Sequence, residues 1–359
     1  MKVGFLSINK TPVAIREAKI ALFDGGHTCG PMITASDETQ IPWALAQLKA
    51  DCDAIVVDGD TDLFYDALGG QNAARLENFE SEGKLYAVTR AVNTKYMTEK
   101  FVPMINARNK KQRYRIVVFK TFGKSEEEIR ALLKPYFKKS SKIQIGIFPD
   151  YLECEVHVRA SASMAQTDLN NALKDINLQL YKFTYALERV TIAERVAQML
   201  KAHNLKLKIA ESFTGGAIAK AFTSLPGASE YLVEGLVTYS VMSKVKRLGI
   251  PAEAIAESGV VSSDTAYRMA AGLIQSGECD IAIATTGNAG PTAQFGQVGL
   301  CYVAIGNRTE VHTVKYTFGE DREDNIKRGV VNALFLLYNY LALYEAMEAP
   351  DAASGETNS

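Results

Sequence analysis

At 359 residues, with 23% charged residues and a formal net charge of −1, the chain has the length of two or three domains and the charge balance of an ordinary soluble protein. No window approaches the ~18 consecutive apolar residues of a spanning helix, and no overall basic excess argues for a nucleic-acid or membrane-surface binder. Five scattered cysteines, at 29, 52, 154, 279 and 301, suit buried thiols in a reducing cytoplasm rather than a disulfide framework. The four histidines, at 27, 157, 203 and 312, keep no ligand spacing, so no metal site is expected.

The apolar part of Met1-Lys2-Val3-Gly4-Phe5-Leu6-Ser7-Ile8 is too short for a signal peptide and predicts a first strand, Val3 to Ile8. Helices are expected over Pro12 to Asp24 and Ile41 to Lys49, and strands over Cys52 to Asp58 and Leu85 to Val88. Residues 1–108 therefore form an α/β unit. The strand ending at Val57 runs into Asp58-Gly59-Asp60-Thr61-Asp62. Those acids suit a divalent cation, but the turn chemistry favours a solvated loop with a helix cap.

Residues 109–187 read as a second unit of α+β type. Arg115 to Lys120 is a strand, and Ser125 with Glu128 makes a capping box for a helix through Phe137. Lys142 to Phe148 and Leu152 to Val158 are further strands, followed by a helical pattern from Ala165 to Leu187. From Lys95 to Lys142 the sequence holds 14 Lys and Arg against 4 Glu. With Tyr114 and Phe119 interleaved, that charge suits either a nucleic-acid surface or a solvated or interdomain face.

The third unit, residues 188–346, opens with an amphipathic helix over Val190 to Asn204 and then alternates helix and strand through Val303. Its pivotal stretch is Ala210-Glu211-Ser212-Phe213-Thr214-Gly215-Gly216, between an alternating strand (Leu205 to Ile209) and a run of helix formers from Ala217. Ser212 thus stands on a strand-to-helix turn, where two glycines permit close backbone approach and helix-start amides favour an anion or oxyanion. That position serves an ordinary helix N-cap as well as a nucleophile. A helix over Ile326 to Leu343 follows, and residues 347–359 have the composition of a disordered tail.

Four more segments accompany that stretch: Tyr239-Ser240-Val241-Met242-Ser243-Lys244, Val260-Val261-Ser262, Thr286-Gly287-Asn288-Ala289-Gly290-Pro291 with Val298-Gly299 beyond it, and Gly319-Glu320-Asp321-Arg322. In this order they resemble the C-terminal domain of the CinA family, the nicotinamide mononucleotide deamidases, with its A-E-S-C-T-G-G, Y-S-N-E-A-K, G-A-V-S, T-G-I-A-G-P and G-D-R patterns. Phe213 stands where the family has Cys, Val241-Met242-Ser243 replaces N-E-A, and the loop at 291–297 is short.

The resemblance implies a multi-domain α/β protein: a reduced molybdopterin-binding-like unit, a KH-like α+β middle unit and a C-terminal CinA-type deamidase domain. The first unit lacks the family's G-T-E-L-L and T-G-G-L-G-P-T-x-D-D loops, so its ADP-ribose hydrolase activity is expected to be lost. The middle unit lacks the G-x-x-G loop of nucleic-acid-binding KH domains, so nucleic acid is not expected as a partner.

Amide hydrolysis needs a nucleophile, a proton shuttle and oxyanion donors. Ser212 is the candidate nucleophile, Lys244 a base if burial lowers its pKa, and Tyr239 a residue that relays or orients the proton. No histidine falls in any motif, which disfavours a Ser-His-Asp arrangement. Gly215 or Gly216 N–H would hold the oxyanion. Thr214, Thr286, Gly287, Ala289, Gly290 and Arg322 would bind the substrate, the last as a bidentate phosphate ligand. No cofactor is called for. The chain is expected to be a cytoplasmic enzyme acting on a small nucleotide and to self-associate as a dimer. The alternative is a catalytically inactive CinA-like nucleotide-binding or scaffold protein.

Overall fold

The computed structural model describes residues 1–9, 15–68, 77–108, 113–138, 142–293 and 296–348. The chain divides into two compact units, Met1–Glu188 and Arg189–Ser359. No helix among the described residues is long and apolar enough to cross a membrane.

The first unit holds two sheets. Strands β1 (Lys2–Ile8), β2 (Thr28–Ala35), β3 (Ala54–Gly59), β4 (Asn78–Ser81) and β5 (Lys84–Thr89) form one, in the order β2-β1-β3-β5-β4. All its pairings are parallel except β4 with β5. Helices α1 (Ile15–Asp24), α2 (Ile41–Asp51), α3 (Thr61–Ala67) and α4 (Val102–Arg108) accompany it. Two apolar clusters line the sheet, one carrying Val3, Phe5 and Val56, the other Leu6, Ile55 and Val57. Such alternation around buried strands is what a sheet covered on both faces requires. The expected helix from Pro12 begins in the description at Ile15, since residues 12–14 lie outside the described residues.

The second sheet, in the order β7-β8-β6-β9, is antiparallel throughout. It comprises β6 (Tyr114–Phe122), α5 (Glu126–Leu132), β7 (Ile143–Pro149), β8 (Glu153–Ser161), α6 (Gln166–Leu180) and β9 (Thr184–Ala186). The Ser125–Glu128 capping box is present. The helix it starts does not reach Phe137: it stops at Leu132, and Lys134–Phe137 is a 3₁₀ turn. Pro135 supplies the reason, having no N–H and restricting the residue before it. Nor does α6 reach Leu187. Its last expected residues turn away and form β9, where Tyr185 and Ala186 are buried and pair with β6. Tertiary pairing there overrides a helical pattern.

The second unit begins with α7 (Ile192–Ala202), started by a Thr191–Glu194 capping box. It continues through β10 (Leu207–Glu211), α8 (Ala217–Thr223), β11 (Leu232–Val237), α9 (Val241–Leu248), α10 (Ala252–Ser258) and α11 (Ser263–Gln275). The rest is β12 (Ile281–Gly287), β13 (Leu300–Gly306), β14 (Val311–Thr317) and α12 (Arg322–Glu348). The sheet order is β11-β10-β12-β13-β14. Strands β11, β10 and β12 are parallel, whereas β13 and β14 run antiparallel. The expected alternation of helix and strand through Val303 therefore fails after β12. An antiparallel neighbour needs no crossover helix, and β13 follows β12 by a loop.

Along the sheet face towards α9–α11 the strands present Ala210, Ala282, Ala284 and Ala304, small side chains that let the helices approach closely. Because β10 has β11 on one side and β12 on the other, the chain leaves its end at the point where strand order reverses. In open α/β sheets that is where ligand crevices form. The disordered tail expected at 347–359 falls outside the described residues beyond Glu348.

Candidate active site

Three parallel strands deliver their C-terminal ends to one place. Register pairs Glu211 of β10 with Val237 of β11 and with Thr285 of β12. The residues just beyond, Ser212, Thr238 and Thr286, are therefore neighbours although far apart in sequence. Ser212 N–H donates to the Thr285 carbonyl at 2.9 Å, and Thr238 N–H to the Glu211 carbonyl at 2.8 Å. Gly215 and Gly216 both adopt positive φ, 63° and 102°, which turns the chain from strand into α8 at little steric cost.

Lys244 lies in the first turns of α9, whose start is capped by the Ser240 side chain accepting from Ser243 N–H. Its side chain is 0% exposed. Its Nζ donates to Ser212 Oγ at 3.1 Å, to the Thr238 carbonyl at 2.7 Å and to the Tyr239 carbonyl at 3.5 Å. Burial pulls the ammonium down from the ordinary 10.5 to about 8, because desolvation penalises the charged form. Among the described residues no carboxylate bonds Lys244 to offset that loss. Tyr239 meets the lysine through its main chain, and its side chain is 64% exposed.

The turn around Ser212 is held by Glu211. This buried carboxylate accepts from Gly216 N–H at 2.9 Å, Ile218 N–H at 3.1 Å and Ala219 N–H at 2.8 Å. It thus supplies partners to helix-start amides that would otherwise be orphaned. Gly216, expected as an oxyanion donor, is consequently engaged. The amides of Phe213, Thr214 and Gly215 donate to no protein acceptor among the described residues. Thr214 is buried too, its hydroxyl 2.8 Å from that of Thr285. Phe213 sits on the inner side of the turn, its ring 6.2 Å from that of Phe318.

A cavity of about 210 Å³ opens over Ser212. Phe213, Tyr239, Val260 and Val261 form part of its wall, and Thr286, Gly287, Asn288, Ala289, Gly290, Thr292 and Arg322 complete it. Of the residues expected at the site, Thr214, Gly215 and Gly216 are not part of this lining, and Lys244 reaches it through Ser212. Thr286 donates its hydroxyl to the Val260 carbonyl at 2.8 Å. Arg322, exposed at the start of α12, donates to the Gly290 carbonyl at 2.7 Å. It makes no ion pair with Glu320, Asp321 or Glu323 among the described residues. Asn325 was not singled out by sequence: fully buried, it bridges the Ala289 and Gly319 carbonyls at 2.9 and 3.0 Å and ties the loop to α12.

Two cavities larger than the one over Ser212, about 520 and 410 Å³, lie in the first unit. The smaller of them, lined in part by Thr61, Asp62 and Arg90, adjoins the acids of residues 58–62. Each of those acids has a protein partner. Asp58 accepts from Val92 N–H, Asp60 caps α3 through Leu63 N–H, and Asp62 pairs with Arg90 at 3.8 Å.

Residues 189–341 match the family described as the CinA C-terminal domain. A CinA superfamily protein of known structure from Klebsiella pneumoniae is 32% identical to this chain, with 96% of that protein covered. The chain belongs to the CinA family. The matched region is 42% of this chain, with a TM-score of 0.41. A CinA-like protein from Geotalea uraniireducens (strain Rf4) is 33% identical over 234 residues, 64% of this chain and 56% of that one. A putative competence-damage inducible protein from Caldicellulosiruptor saccharolyticus is 32% identical over 229 residues, 62% of this chain and 56% of that one. The chain thus spans little more than half the length of these curated CinA relatives. Ser212, Lys244 and the cavity all fall inside the matched CinA region.

Proposed function

We propose that the second unit is an amidohydrolase that converts nicotinamide mononucleotide to nicotinate mononucleotide and ammonia through Ser212 and Lys244. The observation that carries the reading is the 3.1 Å contact between Lys244 Nζ and Ser212 Oγ, made by a lysine whose burial brings it to about 8. Near neutrality a fraction of such lysines is an uncharged amine able to take a proton, which a lysine at its ordinary value is not.

In this reading the amine accepts the Ser212 proton as Oγ attacks the carboxamide carbon. The unengaged amides following Ser212 receive the oxyanion, and Lys244 returns the proton to the departing ammonia. Water then hydrolyses the acyl-serine by the same base. The cavity of about 210 Å³ suits the carboxamide-bearing ring, with the phosphate towards the exposed Arg322, whose planar donors match it. The test is ammonia release by the purified full chain from nicotinamide mononucleotide, compared with Ser212→Ala. Turnover lost in the variant supports the reading; no turnover by the unaltered protein favours the scaffold alternative.

A further inference from the structure

We infer that the cleft between α1 and the four-stranded sheet of the first unit is a binding site for a small phosphorylated aromatic molecule of the nucleoside monophosphate class. The cleft holds about 520 Å³, within the range of small-molecule sites, roughly 300 to 1,000 Å³. Its cationic groups are Lys19, Lys138 and Arg159; burial holds the pKa of His27, also in the lining, below its ordinary value, and no Asp or Glu lines the cleft among the described residues. Phe23, Tyr136, Phe137 and Phe148 provide ring surfaces in the same wall.

Arg159 decides the charge of the ligand. It is 8% exposed, yet among the described residues its donors reach only uncharged acceptors, the Phe23 carbonyl and Gln144 Oε1. Its guanidinium lies over the rings of Phe23 and Tyr114, at 4.3 and 4.8 Å. The carboxylate that acts on it is Asp24, which makes no salt bridge with it among the described residues and is bonded to His157. By contrast, buried Lys120 on the same sheet pairs with Glu155 at 2.9 Å and Glu153 at 3.7 Å. Buried charges are ordinarily compensated, and a guanidinium has five N–H groups, of which the protein engages three. An anion entering the cleft supplies the counter-charge. Lys19 and Lys138, both exposed, make no ion pair among the described residues. Three cations lining one cleft with aromatic side chains match a phosphate carried on a planar ring system. The same group also occurs within a nucleic-acid strand, and the cleft's volume, that of a small-molecule site, favours the free nucleotide.

The experiment is calorimetric titration of the full chain carrying Arg322→Ala, which removes the exposed arginine of the second unit, with AMP, adenosine, inorganic phosphate and a short oligoadenylate. Saturable AMP binding is expected, with adenosine and phosphate each at least about tenfold weaker and the oligomer no tighter than AMP. Lys19→Glu and Lys138→Glu, at exposed positions, should each weaken AMP by about tenfold or more, since each reverses a phosphate-facing charge. Arg159→Gln should do the same, with circular dichroism reporting its fold. Absence of saturable AMP binding, or an affinity untouched by both lysine reversals, overturns the proposal. Tighter binding of the oligoadenylate than of AMP also overturns it and assigns the cleft to nucleic acid.

Discussion

Phe213 fills the space that a side chain on Gly329 would occupy. A Cβ built at Gly329 would stand 2.7 Å from Phe213 Cε1, so α12 passes the Ser212 turn in direct contact with this ring. Gly287, at the end of β12, meets the same ring: its Cβ would be 2.6 Å from Phe213 Cδ2. The residue following the serine is therefore seated between two backbone positions that must stay bare.

Gly329→Ala should accordingly destabilise the protein by about 1–3 kcal/mol, although alanine is the better helix former, because overpacking outweighs propensity. In a Phe213→Ala background the same change should be neutral or stabilising. Denaturant unfolding of the two single variants and the double gives the coupling. Additive effects would mean the contact is not a constraint.

Glu211→Gln should keep the helix start only in part, since an amide presents one acceptor oxygen to three N–H groups. Glu211→Ala orphans all three and should lose roughly 2–3 kcal/mol of stability. In the deamidase reading, kcat should fall with KM little changed, since the carboxylate positions the turn and touches no substrate. A rise in KM alone would argue that the acid acts in binding.

Much of this site is legible in the residues. The alternating strand, the Gly-Gly turn and the helix formers after it mark the serine's position, and Lys244 follows from the motif order. Three features are not legible. The burial that depresses Lys244 depends on its side chain reaching Ser212 and the Thr238 carbonyl beyond β11, which no local pattern encodes. The capture of Gly216 N–H by Glu211 is a side-chain choice, and an acid just ahead of a helix start was its only signal. The strand β9 hides inside a helical pattern because what decides it is the open edge of β6.

Stability should depend on Lys244 in a defined pH window. Below about 8 the folded state bears the full cost of a buried ammonium. Between about 8 and the ordinary 10.5 the unfolded chain holds a proton that the folded chain has released. Stability therefore rises with pH across that window. Lys244→Met should melt higher than the unaltered protein near pH 7, by about 1–3 kcal/mol, and should lose this rise. A variant less stable at pH 7 would show that the lysine is not penalised by its site.

The first unit should not hydrolyse ADP-ribose. Asp58, Asp60 and Asp62 are each taken by a backbone amide or by Arg90. Incubation with ADP-ribose and Mg²⁺, Mn²⁺ or Co²⁺ should yield no AMP above background; turnover abolished by Asp58→Ala would contradict this.

The most direct measurement is ammonia release from nicotinamide mononucleotide by Ser212→Ala, Lys244→Ala and the double variant, each across pH 6–10. The account predicts that each single change lowers kcat at least about 10³-fold and that the double is little worse, because residues acting as one device are not additive. It also predicts that Lys244→Arg fails and that the unaltered enzyme gains activity as pH rises through about 8. Near-normal turnover by Ser212→Ala, or full additivity of the two changes, would contradict it.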